Sequence, residues 1–216
     1  MLSEGCQSKR NCVTNVILVR HGQTEWNRVE RFRGHADVAL NEAGLAQAEA
    51  AGERIFRQWK PSAVYSSPLS RAVKTAEAIA KHYDLPVQVH PELIDIDFGK
   101  WQGLTPDEVQ EQWPDEHYAW YHSPELAQIP DGETLDALRA RAMRTVNELV
   151  SRHPGQTIVI VGHTVINRII LLGVLGLDND RFWHLSQDTG AINVFEAESQ
   201  DFFIASLNDT SHLYGI

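Results

Sequence analysis

Three separate stretches place groups able to hold or attack an anion just after a short apolar run. Arg20-His21-Gly22 follows the run 13–19 (VTNVILV). Ser67-Pro68, with Arg71 three residues on, follows 63–66. Gly162-His163-Thr164 follows 157–161 (TIVIV). A neutral imidazole held in one tautomer is a competent nucleophile toward phosphorus. Guanidinium forks match phosphate oxygens bidentately, which a lysine does less well. Positive neighbours discourage protonation of His21 and keep a lone pair available, and a protonated His163 would add charge against the oxygens of a transferring group. Taken singly, each residue reads more simply as a satisfied structural histidine or a surface arginine. Their convergence on one edge of a sheet carries the functional reading.

That convergence depends on the elements around them. The runs 13–19, stopping at Arg20-His21-Gly22, and 157–161, followed by Gly162, are continuous and β-branched, the mark of strands buried on both faces. Between them lie helical patterns. Residues 42–58 carry Leu45, Ala48, Ile55 and Phe56 with Asn41 as N-cap, and Pro68 opens a helix to about Lys81. An amphipathic helix spans Thr134 to Arg152, ended by Pro154-Gly155, and another starts near Val165. The runs 192–197 and 201–207 read as a closing pair of strands. The alternation predicts an α/β fold: three layers, α/β/α, with a mainly parallel central sheet. Ligands of such sheets collect beyond the carboxyl ends of the strands, where both histidines fall. Residues 1–12 read as a flexible leader and 13–216 as a single domain. The segment 97–133, rich in Trp, Pro, Asp and His, reads as an insertion over the active-site edge.

Composition narrows the function. The chain of 216 residues carries 19 Lys+Arg against 29 Asp+Glu, a net charge of −10. An acidic surface repels polyphosphate backbones, so no nucleic-acid partner is expected, and any anion must be held by a local positive cluster. The longest apolar stretch, Ile169 to Leu177, is nine residues and broken by two glycines, against the about 20 needed to span a bilayer, so no membrane partner is expected. Two cysteines, Cys6 and Cys12, make neither a disulfide framework nor a zinc site; with no signal peptide, the expected location is cytoplasmic. His117 and His122, five apart, read as solvated loop histidines rather than metal ligands. Dinucleotide, P-loop and serine-hydrolase motifs are absent.

The string Leu18-Val19-Arg20-His21-Gly22-Gln23-Thr24-Glu25-Trp26-Asn27 resembles the signature of the histidine phosphatase superfamily, in its phosphoglycerate mutase-like branch. Four further stretches resemble that family's motifs in order: Leu40-Asn41-Glu42-Ala43-Gly44 with Gln47-Ala48, Ser66-Ser67-Pro68-Leu69-Ser70-Arg71-Ala72 with Thr75-Ala76, Phe98-Gly99-Lys100-Trp101-Gln102-Gly103, and Val161-Gly162-His163-Thr164. The resemblance implies that His21 accepts the phosphoryl group as a phosphohistidine. It implies that Arg20, Arg71 and His163 bind the phosphate, with Asn27, Thr24 and Gln23 lining the pocket. It implies no metal and no organic cofactor.

One position departs from the family pattern. The proton donor is usually a Glu four residues before the glycine matched by Gly99, and here that register holds Asp95, one methylene shorter. Asp95 serves as acid if burial or a nearby phosphate raises its pKa; Glu92 and Asp97 are its rivals. Trp101, Trp113, Trp120 and Tyr121 read either as an apolar wall over the leaving group or as the core of the insertion. Three functions share this fold: a phosphomonoester hydrolase acting on a small phosphorylated metabolite, a phosphoglycerate mutase, or a non-catalytic phosphate-binding module. Residues 104–133 contain no Lys or Arg, leaving little extra charge there for a bisphosphate, and this favours hydrolysis. A homodimer is expected only on the general prevalence of two-fold assemblies.

Overall fold

The computed structural model describes residues 13–198 and 201–216. The leader, with Cys6 and Cys12, lies outside the described residues. Among the described residues six strands form one sheet: β1 (Thr14–Arg20), β2 (Ala63–Ser66), β3 (Val87–Val89), β4 (Thr157–Gly162), β5 (Ile192–Glu198) and β6 (Asp201–Asp209), in the order β3-β2-β4-β1-β5-β6. The β1/β4, β2/β4 and β2/β3 pairs are parallel, whereas β5 runs antiparallel to both of its neighbours. The late pair of strands therefore extends the sheet beyond β1. Strand β3 was not legible in the sequence: at three residues of part-exposed edge it carries no apolar run.

The central strands alternate sides, and each side is covered by helices. A short helix, α1 (Glu25–Arg28), follows β1. Ile17, Val19, Val64, Val159 and Val161 meet Ala51 and Ile55 of helix α2 (Glu42–Gln58) and Ala72, Ala76 and Ile79 of α3 (Ser70–Ala80). Val16, Leu18, Ile158 and Ile160 meet helices α6 (Leu135–Arg152) and α7 (Thr164–Leu175) on the other side. Both faces of the strands are thus dry, which is why their sequences are continuous apolar runs. The three-layer fold stands as the sequence predicts. Two residues assigned to the buried stripe of α2 do not belong to it: Leu45 and Phe56 are about half exposed, and small residues, Gly44, Ala48, Ala51 and Gly52, make the contact instead. They permit the close approach of α2 to the sheet and to α3.

Segment 97–133 is largely helical. It contains α4 (Pro106–Gln112), begun by a capping box between Thr105 and Glu108, and α5 (Pro114–His122), begun by proline. It packs Phe98, Trp101, Val109, Trp120 and Ile129 into the same core as β1, α6 and α7. His117 and His122 lie on α5, not in a loop as the sequence suggested, against Tyr121 and Tyr118 respectively. Among the described residues no helix is long and apolar enough to cross a membrane.

Candidate active site

Strand register brings the histidines together. In the parallel β1/β4 ladder Arg20 stands opposite Gly162, so the next residues, His21 and His163, emerge side by side. The ladder runs one step past the strands, with His21 N donating to Gly162 O at 3.1 Å. Their rings meet edge to face, centroids 5.0 Å apart. On the other side of β4, Ser66 stands opposite Val161, and the following Ser67 places its hydroxyl 2.7 Å from His163 Nε2. In the first turn of α3, Arg71 donates to the carbonyls of Ala36 (2.6 Å) and Gly34 (3.0 Å).

The loop bearing His21 is clamped onto the start of α2. Asn41 caps that helix through Gly44 N, Gln47 Oε1 accepts from Gln23 N at 2.8 Å, and Gln23 Oε1 accepts from Asn41 Nδ2 at 2.9 Å. The approach is so close that a Cβ on Gly22 would stand 2.2 Å from Gly44 O, and one on Gly44 2.0 Å from Gln23 O. These contacts explain the motif at 40–48 physically: it is a socket for the histidine loop. Gly22 O lies 2.6 Å from His21 Nδ1. A carbonyl only accepts, so Nδ1 carries the proton and Nε2 keeps its lone pair.

Both imidazoles are fully buried, and both are held well below the usual 6.5 by that burial and by Arg71 and Arg20, with Arg33 adding to it. Burial among guanidinium groups disfavours the protonated form of His163 whose charge would have added to the site. Burial also brings Arg20 down to about 9 and Arg71 to about 10, and both remain charged at neutral pH.

Asp95 reaches the site from the loop after β3. It is 4% exposed, and its Oδ1 accepts from Ile166 N in the first turn of α7 at 3.0 Å. Burial raises its pKa; the Ile166 amide and the nearby Arg71 work against that rise. Its two rivals point elsewhere. Glu92 is exposed and 3.5 Å from Arg144, and Asp97 caps Gly99 N at 2.8 Å. A device absent from the sequence reading holds the Asp95 backbone: Arg141 donates to the carbonyls of Glu92, Ile94 and Asp95 while paired with Glu133 at 2.8 Å. His35 Nε2 adds a contact to Asp95 O at 3.0 Å.

A cavity of about 420 Å3 opens above these groups. Arg20, Asn27 and Asp95 line it; His21, Arg71 and His163 are buried beside it rather than in its wall. The side chains of Gln23 and Thr24 do not line it. Gln23 is engaged with Asn41, and the Thr24 hydroxyl donates to Asn27 Oδ1 at 2.9 Å. Of the aromatic residues, Trp120 and Tyr121 face the cavity with Phe182 and Trp183, whereas Trp101 and Trp113 pack into the core. Three arginines missed in the sequence also line it: Arg31, Arg33 and Arg168. Arg168 was findable, since it lies one helical turn beyond Thr164 on α7 and shares its face. Arg31 and Arg33 sit in an irregular loop with no periodic signal. The expectation of little additional charge at the mouth fails, because the charge comes from outside 104–133.

A buried neutral imidazole with a free Nε2, flanked by guanidinium groups and a carboxyl of raised pKa at the carboxyl edge of a parallel sheet, defines an enzyme of phosphoryl transfer through histidine. The chain belongs to the histidine phosphatase superfamily (branch 1), whose sequence profile matches residues 16–210. It is 35% identical over 201 residues to Phosphoserine phosphatase 1 of Hydrogenobacter thermophilus, covering 93% of this chain and 95% of that one. Its fold matches the structure of Bacillus stearothermophilus YhfR with a TM-score of 0.88 at 29% identity, covering 93% of this chain and 99% of that one. It also matches an Entamoeba histolytica phosphoserine phosphatase mutant in complex with phosphoserine, with a TM-score of 0.84 at 28% identity, covering 93% and 99%.

Proposed function

We propose that the chain hydrolyses phosphomonoesters of small metabolites through a phosphohistidine at His21, without a metal. The tautomer of His21 carries the proposal: Nδ1–H is fixed on the Gly22 carbonyl at 2.6 Å, and Nε2 is left as the nucleophile. Arg20, Arg71 and His163 receive the phosphoryl oxygens. The Nε nitrogens of Arg20 and Arg71 and the Nδ1 of His163, a donor when the Ser67 hydroxyl donates to Nε2, are buried polar atoms without a partner among the described residues, and such groups are expensive to leave unmatched except where a ligand meets them. Asn27 adds an amide at the cavity wall; Thr24 and Gln23 act through it and through the loop.

In the first step Nε2 attacks phosphorus, the P–N bond forms, the P–O ester bond breaks, and the leaving alkoxide takes the proton of Asp95. The positive charge that develops on the ring is matched by the Nδ1–H bond to Gly22 O. In the second step the Asp95 carboxylate takes a proton from water, the water oxygen bonds to phosphorus, the P–N bond breaks, and inorganic phosphate leaves with Asp95 again protonated. The relative named a phosphoserine phosphatase supports hydrolysis as the outcome.

Turnover of p-nitrophenyl phosphate in excess EDTA, with an acid-labile phosphoenzyme absent from His21→Ala, is the expected result; no turnover, or undiminished turnover in His21→Ala, rejects the reading. The mutase reading draws on the arginine charge at the cavity. It predicts that 3-phosphoglycerate with its 2,3-bisphosphate interconverts faster than it releases phosphate, and the hydrolase reading predicts the reverse. Retained affinity for phosphate esters without any turnover would mark the non-catalytic module. A cytoplasmic location and a homodimer complete the proposal; light scattering of the purified protein tests the second.

A further inference from the structure

We infer that Arg33 and Arg168 form a second anion subsite, which selects phosphomonoesters bearing a carboxylate on the leaving group. The inference rests on the proposed hydrolase site and names its substrate class.

Four arginines at the site have no carboxylate oxygen within 4.0 Å among the described residues: Arg20, Arg33, Arg71 and Arg168; Arg31, by contrast, pairs with Glu108 at 3.4 Å. One phosphate dianion matches Arg20 and Arg71 and leaves two part-buried guanidinium groups, Arg33 and Arg168, without a paired carboxylate among the described residues. Removing such charges from water is unfavourable unless a partner arrives, so the surplus points to a ligand with a second negative group.

Position separates Arg71 from the others. Arg71 is fully buried and outside the cavity wall, whereas Arg33 and Arg168 line the cavity, as Arg20 does, together with Trp120, Tyr121 and Trp183. Arg168 is held rigid for recognition. Its guanidinium stacks over Phe182 and Trp183, 5.0 Å and 4.9 Å from the ring centroids, and its buried Nε has no partner among the described residues. Arg33 is anchored by bonds to the carbonyls of Trp26 (3.1 Å) and Arg31 (3.3 Å), both through one terminal nitrogen, which leaves the rest of its fork for a ligand. Glu30 and Asp188 also line the cavity, neither within 4.0 Å of an arginine nitrogen. A planar fork, stacked and pre-oriented, suits a carboxylate held bidentately, and a cavity of about 420 Å3 takes a small phosphorylated acid.

The experiment compares substrates that differ only at the carboxylate: phosphoserine against phosphoethanolamine, and 3-phosphoglycerate against glycerol 3-phosphate. In each pair kcat/KM is expected to favour the acid by roughly ten- to a hundredfold, the worth of one or two charge-assisted hydrogen bonds. Arg33→Gln and Arg168→Gln are each expected to collapse that ratio toward one, mainly through KM, with Arg→Lys at either position restoring part of it. Ratios near one in the wild type, or ratios unchanged in both Gln variants, overturn the inference. Turnover of p-nitrophenyl phosphate confirms each variant's fold, and its absence from the wild type sinks the hydrolase reading instead. Calorimetric affinities of the His21→Ala protein for phosphoserine and phosphoethanolamine measure the subsite without catalysis; equal affinities also overturn it.

Discussion

His21 and His163 stand edge to face at 5.0 Å because they follow paired residues of two parallel strands. Two buried imidazoles this close, among guanidinium groups, resist protonation, and both are held well below 6.5. Between that depressed value and 6.5 the unfolded chain binds protons that the folded chain does not. Stability therefore falls as pH drops below about 6.5. Melting temperature is expected to decline from pH 7.5 to 5.5, and less steeply in His163→Asn than in the wild type. Asp95, raised above its ordinary value, acts in the opposite sense, so the comparison of variants isolates the histidine effect. Parallel slopes would remove the link between the two rings and acid lability.

The same depression shapes activity. With a neutral nucleophile, kcat/KM for p-nitrophenyl phosphate is expected to stay level on the acid side until well below pH 6.5. An acid limb centred near 6.5 or above would contradict the burial argument.

Asp95→Asn separates proton donation from nucleophilic attack. Alkyl phosphates need a proton on the departing oxygen and p-nitrophenyl phosphate scarcely does. The variant is expected to lose about 10²–10⁴-fold in rate on an alkyl phosphate and far less in the burst of p-nitrophenolate, which reports the first step alone. Equal losses in both would move the acid role to another group.

Arg141 holds the acid loop from behind. Its side chain is 13% exposed, paired with a Glu133 that is 17% exposed, so Arg141→Ala strands a part-buried carboxylate and three carbonyls. A loss of about 3 kcal/mol in denaturant unfolding is expected. At temperatures where the variant is folded, turnover of alkyl phosphates is expected to fall more than that of p-nitrophenyl phosphate, because Asp95 loses its position. Loss on both substrates in proportion would make Arg141 a purely structural residue.

Gly44→Ala tests the socket. The added Cβ would stand 2.0 Å from the Gln23 carbonyl oxygen, so the histidine loop or α2 must shift, with an expected loss of about 1–3 kcal/mol. Since Gln23 lies two residues from His21, kcat is expected to drop as well. Gly52→Ala, which meets Ala78 O at 2.4 Å away from the loop, is expected to destabilise without the same fall in kcat.

Much of this was legible in the sequence, because the signals were local. Continuous β-branched runs mark strands buried on both faces. Asn41 and Thr134 mark helix starts, and each accepts from the amide three residues on. Residues directly after the strands, His21, Ser67 and His163, could be assigned to one sheet edge from chain order alone. What stayed hidden has no local signature. Arg33 sits in a loop, Arg141 is one of several arginines on an amphipathic helix, and the part-exposed strand β3 carries no apolar run. The pKa directions of His163 and of Asp95, the residue that the register of Gly99 favoured over Glu92 and Asp97, also lay beyond the sequence. Both are set by burial and by the field of neighbours distant in the chain, and only the folded chain brings those neighbours within reach.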